Sequence, residues 1–190
     1  TEYELDQYLK LKILENIPVA IFSRCQSSGF GRYKRKWFSP IGGIWVSAVY
    51  PIKSKTFIPE IFSISIAYKL CEMLSKESIN VTLKWPNDIF YGSKKLIGFL
   101  PKVVTRGEQI EYVRVGFGIN LNNKSPINGI SLCKIKNKKK LCESYWSSKI
   151  LQVFNEAVYI NGERDNIIGG ANKFLNKTYL PKDYDDQRWV

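Results

Sequence analysis

The sequence has no histidine among its 190 residues. The commonest general base of enzyme active sites is therefore missing, and so is the nitrogen ligand of mixed zinc sites. The four cysteines lack the CxxC spacing of a zinc or redox motif; they are Cys25, Cys71, Cys133 and Cys142. We therefore predict reduced thiols in a cytoplasmic protein. No apolar run approaches the roughly 20 residues of a membrane-spanning helix, and the first residues show no secretory signal pattern.

Acidic residues are also scarce, since 17 Asp and Glu stand against 29 Lys and Arg. The resulting net charge of +12 favours solubility, or an anionic partner such as a nucleic acid, a nucleotide or an acidic protein. Part of the excess lies in the tract KIKNKKK at residues 134–140, which is typical of a solvated loop.

Hydrophobic residues make up 44% of the chain, enough for one packed domain over residues 1–190. Apolar residues recur at helical spacing in some segments and form strand-like runs in others. The predicted helices cover 2–15, 58–76, the segment around 146–157, and 164–176; the predicted strands cover 18–23, 43–50, 79–84 and 110–115, with a hairpin over 88–104 and loops over 24–40 and 122–140. Because hairpins join most of the strands, we expect an α+β fold with a mixed, largely antiparallel sheet flanked by helices on one side.

The first candidate motif is the loop QSSGFGRYKRKW at residues 26–37. Its two glycines let backbone N–H groups come close to an anion. Arg32 and Arg35 can each fork onto phosphate oxygens, and Trp37 offers a flat face to a purine. A basic surface loop or a nucleic-acid-binding patch would have a similar composition, so this motif alone leaves these alternatives open.

The second motif is KWPND at residues 84–88, followed by KLIG from Lys95 to Gly98. Asp88 is a carboxylate in a basic neighbourhood, and Mg²⁺ binds one or two carboxylates together with waters and substrate phosphates. Asn87 either supports such a site or caps a turn, because Pro-Asn-Asp also favours an ordinary turn. Lys95 is either part of such a site or an ordinary exposed lysine of the sheet. Gly98 indicates close approach of a ligand to the backbone.

The third motif is GFGINLN at residues 116–122, at the end of a predicted strand. It could line a small-molecule pocket, but it lacks the later glycine of a dinucleotide-binding fingerprint.

Together and in this order, the three motifs resemble the biotin protein ligase family, the biotin–[acetyl-CoA-carboxylase or carboxyl-carrier protein] ligases. That family has a glycine- and arginine-rich loop ending in RxW, then KWPND, KxxG and GxGINxN; here these are GFGRYKRKW, KWPND, KLIG and GFGINLN. The resemblance runs from about Gln26 to Asn122, roughly half of the chain. It implies the biotin/lipoate ligase fold, which is like that of class II aminoacyl-tRNA synthetases.

The resemblance implies a two-step reaction with ATP. The carboxylate of biotin attacks the α-phosphorus to give biotinyl-5′-AMP and pyrophosphate, and a lysine of a biotin carboxyl carrier protein then takes the biotin and releases AMP. A carboxylate is already a nucleophile at neutral pH, so the first step needs positioned cations rather than a general base. A chain without histidine is compatible with this chemistry.

The resemblance also implies roles for particular residues. Lys95 and Arg32 would be catalytic, Lys95 by bridging the biotin carboxylate and the α-phosphate, and Asp88 would hold Mg²⁺. The residues implied to bind biotin are Gln26, Gly29, Arg32, Lys95, Gly98 and Gly116. The residues implied to bind the nucleotide are Arg32, Arg35, Trp37, Asn87 and Asn120.

The sequence departs from the family pattern at several positions. The family loop usually reads GRGRxGRxW, and Phe30 replaces its first arginine while Lys34 replaces its last glycine. Phe30 removes a positive charge from the loop that would hold the adenylate. Pro101 is expected to disturb the end of its strand. If Thr1 is the threonine of the family's Ser-Thr-Asn, then Glu2 stands in place of its asparagine.

Residues 163–190 would form a terminal helix and tail, too short for the C-terminal β-barrel of many family members. No helix-turn-helix domain precedes the motifs, so we expect no operator DNA binding. The expected partner is a carrier subunit of acetyl-CoA carboxylase or a related carboxylase, and a homodimer is left open. Three alternatives remain: a lipoate–protein ligase of the same fold, a basic nucleic-acid-binding module, and an inactive relative that only binds.

Overall fold

The computed structural model describes residues 1–10, 17–54 and 56–179. The helices are α1 (Glu2–Lys10), α2 (Phe62–Lys76), α3 (Leu132–Ile135), α4 (Glu143–Tyr159) and α5 (Arg164–Asn172). The strands are β1 (Val19–Ser23), β2 (Ile44–Pro51), β3 (Thr82–Lys84), β4 (Asp88–Tyr91), β5 (Lys94–Arg106) and β6 (Gln109–Ile119). Short 3₁₀ turns cover Arg32–Lys34, Pro59–Ile61, Ile160–Gly162 and Lys177–Tyr179.

The strands form one six-stranded sheet in the order β1-β2-β6-β5-β4-β3, and every neighbouring pair is antiparallel. The tight turns between β4 and β5 and between β5 and β6 contain Gly92 and Gly107, whose φ angles of +56° and +62° lie in the left-handed region that glycine adopts readily. Parallel pairing occurs in the described residues only as two isolated bridges. The predicted, largely antiparallel sheet is confirmed.

The hydrophobic core lies between one face of the sheet and helices α2 and α4. Ile66, Leu70 and Leu74 of α2 recur at helical spacing and are fully buried. They share the core with Val115 of β6 and with Phe154 of α4. Full burial of one such side chain stabilises the fold by about 1.5–3 kcal/mol.

Helix α1 lies on the opposite face of the sheet, so the expectation of helices on one side is wrong. Successive residues of a strand face opposite sides. Val115 points into the core, whereas the adjacent Arg114 bonds the side chains of Glu2 and Asp6 of α1. The first helix thus covers part of the face that carries no core helix.

The predicted disturbance at Pro101 is also wrong, because β5 runs through this residue to Arg106 and Pro101 pairs with Val115 of β6. The backbone N–H of Phe99 donates to Asn87 on the side where β4 lies. The nitrogen of Pro101, two residues later, points the same way, but the pairing of β4 with β5 reaches only Gly98. Proline therefore removes no ladder hydrogen bond there.

Other predicted boundaries shift by a few residues. Strand β3 covers only the end of the predicted 79–84 segment, β6 extends the predicted 110–115 strand through the glycines, and α3 lies inside the predicted 122–140 loop. Helix α1 is described to Lys10, and the rest of the predicted 2–15 helix lies outside the described residues. All four cysteines are free thiols, and none of the described helices has the length and hydropathy that a membrane span requires.

Candidate active site

The sheet face opposite the core helices carries a glycine-lined floor. On β6, Val115, Phe117 and Ile119 point into the core, so Gly116 and Gly118 point away from it. Gly98 of β5 pairs directly with Gly118 and extends the floor sideways. A Cβ at Gly98 or Gly118 would collide with the indole of Trp37, and one at Gly116 would meet the carboxylate of Glu2. A cavity of about 760 Å³ lies on this side of the sheet.

This cavity brings together ten of the eleven site residues predicted from the sequence. Those that line it are Gln26, Arg32, Arg35, Trp37, Asn87, Asp88, Lys95, Gly98, Gly116 and Asn120. Gly29 lies outside the lining. A Cβ at Gly29 would stand 2.6 Å from Oγ of Ser39 and 2.7 Å from the carbonyl oxygen of Trp37, so glycine here lets the two ends of the loop pack together.

A β-bulge places Lys95 on the cavity side of the sheet. The register between β4 and β5 shifts after Ile89, so that Asp88 pairs with Gly98 while Phe90 pairs with Lys95. The extra residue turns Lys95 onto the same face as Asp88 and Gly98, whereas regular alternation would have put it on the opposite face. Cε of Lys95 is 3.2 Å from the position of a Cβ on Gly98.

Lys95 and Asp88 form an ion pair in the cavity, with Nζ of Lys95 2.6 Å from Oδ1 of Asp88. Both side chains are half-buried, at 29% and 22% exposure. The angles do not meet those of a hydrogen bond, and Oδ1 is buried without a hydrogen-bond partner in the described residues. The carboxylate therefore retains acceptor capacity towards a further cation or donor.

Trp37 lies across the glycine floor. Its Nε1 is 2.4 Å from the position that a Cβ on Gly118 would take, and its Cζ3 is 2.9 Å from that on Gly98. Nζ of Lys95 stands 4.7 Å from the centroid of the indole, within range of a cation–π contact. Nε1 of Trp37 is buried without a hydrogen-bond partner in the part of the chain that is described. The tryptophan thus joins the basic loop to the lysine and the floor.

The arginines of the loop reach the same cavity from its exposed rim. Nη2 of Arg32 donates to the hydroxyl of Tyr33 at 3.2 Å, and both guanidinium groups stack near the Tyr33 ring, at 5.1 Å for Arg32 and 5.8 Å for Arg35. Lys34 has a φ of +57°, which explains why glycine suits this position in the family pattern. Neither arginine has an acidic partner among the ion pairs of the described residues, so both remain available to an anion.

The two asparagines hold the backbone around the site. Nδ2 of Asn87 donates to the carbonyl oxygen of Phe99 at 3.0 Å. Asn120 is buried, its Nδ2 donates to the carbonyl oxygen of Lys95 at 3.4 Å, and its Oδ1 accepts from Asn123 at 2.9 Å. These contacts favour a supporting role, and nucleotide binding by either side chain stays a prediction.

A chain of hydroxyl and amide groups at the other end of the cavity was not predicted in full. Oγ of Ser47 donates to Oγ1 of Thr1 at 2.8 Å, Thr1 donates to Oε1 of Gln26 at 3.0 Å, and Nε2 of Gln26 donates to Oγ of Ser39 at 2.9 Å. Ser47 is fully buried, and its position inside the apolar run IWVSAVY was the signal that could have identified it.

Arg114 anchors α1 beside this chain of groups. Its guanidinium is 7% exposed and pairs with the carboxylates of Glu2 and Asp6. Burial lowers the pKa of Arg114, but the hydrogen bond that it donates to Asp6 and the charges of Glu2 and Asp6 outweigh burial and raise the pKa above its ordinary value. The side chain is therefore a fixed positive charge under the cavity.

Residues 3–120 match the model of the Biotin/lipoate A/B protein ligase family. The chain belongs to this family. The matched segment contains the first two motifs, the third as far as Asn120, and every site residue predicted from the sequence, which confirms the resemblance.

Among curated relatives of this ligase family, the bifunctional ligase/repressor BirA of Escherichia coli is 30% identical over 122 residues, which cover 63% of this chain and 37% of that protein. The biotin–protein ligase of Homo sapiens is 27% identical over 120 residues, which cover 59% of this chain and 16% of the human protein. The chain thus spans about a third or less of the length of these relatives.

Solved structures of ligases confirm the fold. The biotin protein ligase of Leishmania major in complex with biotin superposes with a TM-score of 0.70 at 19% identity, covering 96% of this chain and 82% of that one. The biotin protein ligase of Aquifex aeolicus in complex with biotin and ATP has a TM-score of 0.64 at 26% identity, covering 82% and 68%. The predicted α+β fold of the biotin/lipoate ligase and class II synthetase type is confirmed.

Proposed function

We propose that the protein is an ATP-dependent biotin–protein ligase, which converts biotin to biotinyl-5′-AMP and transfers the biotin to a lysine of a carrier protein. The observation that supports this most strongly is the placement of Lys95. The β-bulge brings its ammonium group onto the glycine floor, beside Asp88 and under the arginine-bearing loop. This arrangement suits two anions that must be held in contact. The human relative named above is a biotin–protein ligase, and the Aquifex aeolicus structure holds biotin and ATP.

In the first step, a carboxylate oxygen of biotin forms a bond to the α-phosphorus of ATP, and the bond from that phosphorus to the β-phosphate oxygen breaks to release pyrophosphate. No proton has to move. Lys95 neutralises the two approaching anions, and Arg32 and Arg35 bind phosphate oxygens from the rim. Trp37 packs on the adenine, and the floor residues Gly98 and Gly116 let biotin lie close to the sheet.

In the second step, the amine of a carrier lysine attacks the carbonyl carbon of the mixed anhydride. An amide bond forms, the bond from the carbonyl carbon to the phosphate oxygen breaks, AMP leaves, and the amine loses its proton to solvent. The basic loop keeps the anhydride from water until the carrier arrives. The carrier we propose is a carboxylase subunit, and the free thiols suit the cytoplasm as the compartment.

The site also fits Mg²⁺, the metal that this family implies. The described residues hold no group of three or more acidic or cysteine side chains that could bind a metal alone. Mg²⁺ needs only one or two carboxylates when substrate phosphates and waters complete its shell. Asp88 lies at the edge of the cavity, and its Oδ1 pairs with the ammonium of Lys95 but accepts no hydrogen bond from the described residues, so this carboxylate would hold the ion. Bound Mg²⁺ would neutralise charge on the phosphates.

A lipoate–protein ligase is the main alternative, because the family includes both enzymes. The hydrogen-bonded side chains of Ser47, Thr1 and Gln26 favour biotin over lipoate. The cyclic urea of biotin can exchange hydrogen bonds with such groups, whereas the dithiolane ring of lipoate cannot.

Calorimetry with biotin and with lipoate, each with and without ATP and Mg²⁺, tests the proposal. We expect binding of biotin, little binding of lipoate, and exchange of labelled pyrophosphate into ATP that depends on biotin. Preference for lipoate would identify the alternative ligase. Salt-sensitive binding of DNA or RNA with no pyrophosphate exchange would instead support a nucleic-acid-binding module.

A further inference from the structure

The carboxylate of Glu2 reaches over the glycine floor. Its Oε2 pairs with Nη2 of Arg114 at 2.5 Å, which fixes the side chain in place. Its Oε1 stands 3.1 Å from the point that a Cβ on Gly116 would occupy, and Glu2 lines the cavity. Oε1 is buried and has no hydrogen-bond partner within the described residues. One carboxylate oxygen is therefore held in the cavity with its acceptor capacity unused.

Unpaired buried acceptors are rare in proteins because water is lost and no hydrogen bond replaces it. The neighbouring groups do not serve Glu2. The hydroxyl of Ser47 is used by Thr1, the hydroxyl of Thr1 by Gln26, and the amide of Gln26 donates to Ser39. Nε of Arg114 and Nε1 of Trp37 are also unpaired in the described residues, but neither bonds Oε1. Oε1 is therefore open to a donor on a bound ligand.

The positions of Glu2 and Lys95 define the two ends of a ligand. Glu2 stands over Gly116, and Lys95 stands beside Gly98, which pairs with Gly118. Gly116 and Gly98 are therefore diagonal neighbours on adjacent strands, about 7–8 Å apart. A molecule with a carboxylate at one end, a short aliphatic chain and an N–H-bearing ring at the other would meet the ammonium and the carboxylate at once.

We infer that Glu2 is a specificity-determining residue, whose Oε1 accepts a hydrogen bond from a ring N–H of the bound substrate. The inference rests on the proposed function and identifies the urea N–H of biotin as the donor. Hydrogen bonds to a charged acceptor are about twice as strong as neutral ones. A ring without an N–H, such as a dithiolane, would leave the buried carboxylate oxygen unpaired and would be rejected.

The test compares two variants that remove one charge each from the partners of Arg114. Glu2→Gln removes the charge of the carboxylate that lines the cavity. Asp6→Asn removes the charge of the carboxylate that accepts from the other guanidinium nitrogen, and Asp6 does not line the cavity. Calorimetry with biotin should show a loss of affinity of about tenfold or more in Glu2→Gln, and a much smaller loss in Asp6→Asn. Unchanged affinity in Glu2→Gln, or equal losses in the two variants, would overturn the inference.

A third variant covers the case in which Glu2→Gln does not fold, as judged by circular dichroism. Glu2→Asp keeps the charge for Arg114 but withdraws the carboxylate from Gly116, so biotin should again bind at least about tenfold more weakly. Full affinity for biotin in Glu2→Asp would overturn the inference. Failure of the unaltered protein to bind biotin would overturn the proposed function and this inference with it, whereas tight binding that ignores Glu2 would overturn the inference alone.

Discussion

Replacement of Lys95 by alanine should separate catalysis from stability. The ion pair that is lost joins two half-buried groups, with Nζ of Lys95 2.6 Å from Oδ1 of Asp88. Solvent screens such a pair, so its contribution to the free energy of unfolding is about 1 kcal/mol or less. For a domain of this size, that loss lowers the melting temperature by only about 2–4 °C.

The effect on the first chemical step should be much larger. Two unit negative charges 4 Å apart repel each other by about 4 kcal/mol at an effective dielectric constant of 20. Lys95 is the group that we expect to cancel this repulsion as the carboxylate reaches the α-phosphorus. Removal of one such charge-stabilising group slows comparable reactions by about 10²–10³-fold, or roughly 3–4 kcal/mol. We expect a loss of this size in Lys95→Ala.

Biotin-dependent pyrophosphate exchange measures that step, and thermal unfolding followed by circular dichroism measures stability. Lys94→Ala is the matched control, because it removes the same charge from the adjacent, exposed residue of β5. The control should exchange pyrophosphate at the unaltered rate. If Lys95→Ala retains its rate within tenfold, or loses its rate only in proportion to unfolded protein, Lys95 has no role in the chemistry.

Three further predictions concern other charged residues, two in the site and one outside it. Asp88→Ala should raise the Mg²⁺ concentration for half-maximal exchange severalfold, and an unchanged Mg²⁺ titration would place the metal on other residues. Arg32→Gly should release biotinyl-5′-AMP and label bystander proteins on a streptavidin blot; labelling confined to the carrier would contradict a retaining role for Arg32. The hydrogen bond from Tyr145 lowers the pKa of Glu77 from its ordinary value of 4.5, so this carboxylate stabilises the fold above that pH and ceases to do so as the pH falls through the lowered value. Glu77→Gln should therefore reduce the free energy of unfolding at neutral pH and lose that effect in acid, as urea titrations at the two pH values would show.

Much of the fold could be predicted from the sequence because its apolar periods are clear. Ile66, Leu70 and Leu74 mark the buried face of α2, and the turn at Gly92 marks the β4–β5 hairpin. The site residues could be predicted because three motifs, each weak alone, occur in one order. The partners of those residues could not, since Glu2 and Ser47 meet Gly116 and Thr1 only through tertiary packing.

The face on which α1 packs was another consequence of tertiary packing. Arg114 lies in a strand whose neighbours are apolar, and nothing in that run indicates which charged partner it will meet. A buried arginine requires counter-charges. Glu2 and Asp6, four apart on one side of a helix, supply them on the face that the core helices leave open. The expectation of helices on one side of the sheet failed for this reason.

The spacing of KLIG shows most directly what the sequence leaves undetermined. Lys95 and Gly98 are three apart, and in a regular strand residues three apart face opposite sides. Regular alternation would therefore put either the lysine in the core or the glycine away from the ligand. The structure avoids both outcomes with one extra residue in β5, after which Leu96 and Ile97 are buried while Lys95 returns to the cavity. A buried, uncompensated lysine would be costly, and this supplies the physical reason for the bulge. The motif thus encodes a local irregularity of the strand, and the proposed chemistry depends on that irregularity because it brings the ammonium group of Lys95 beside Asp88.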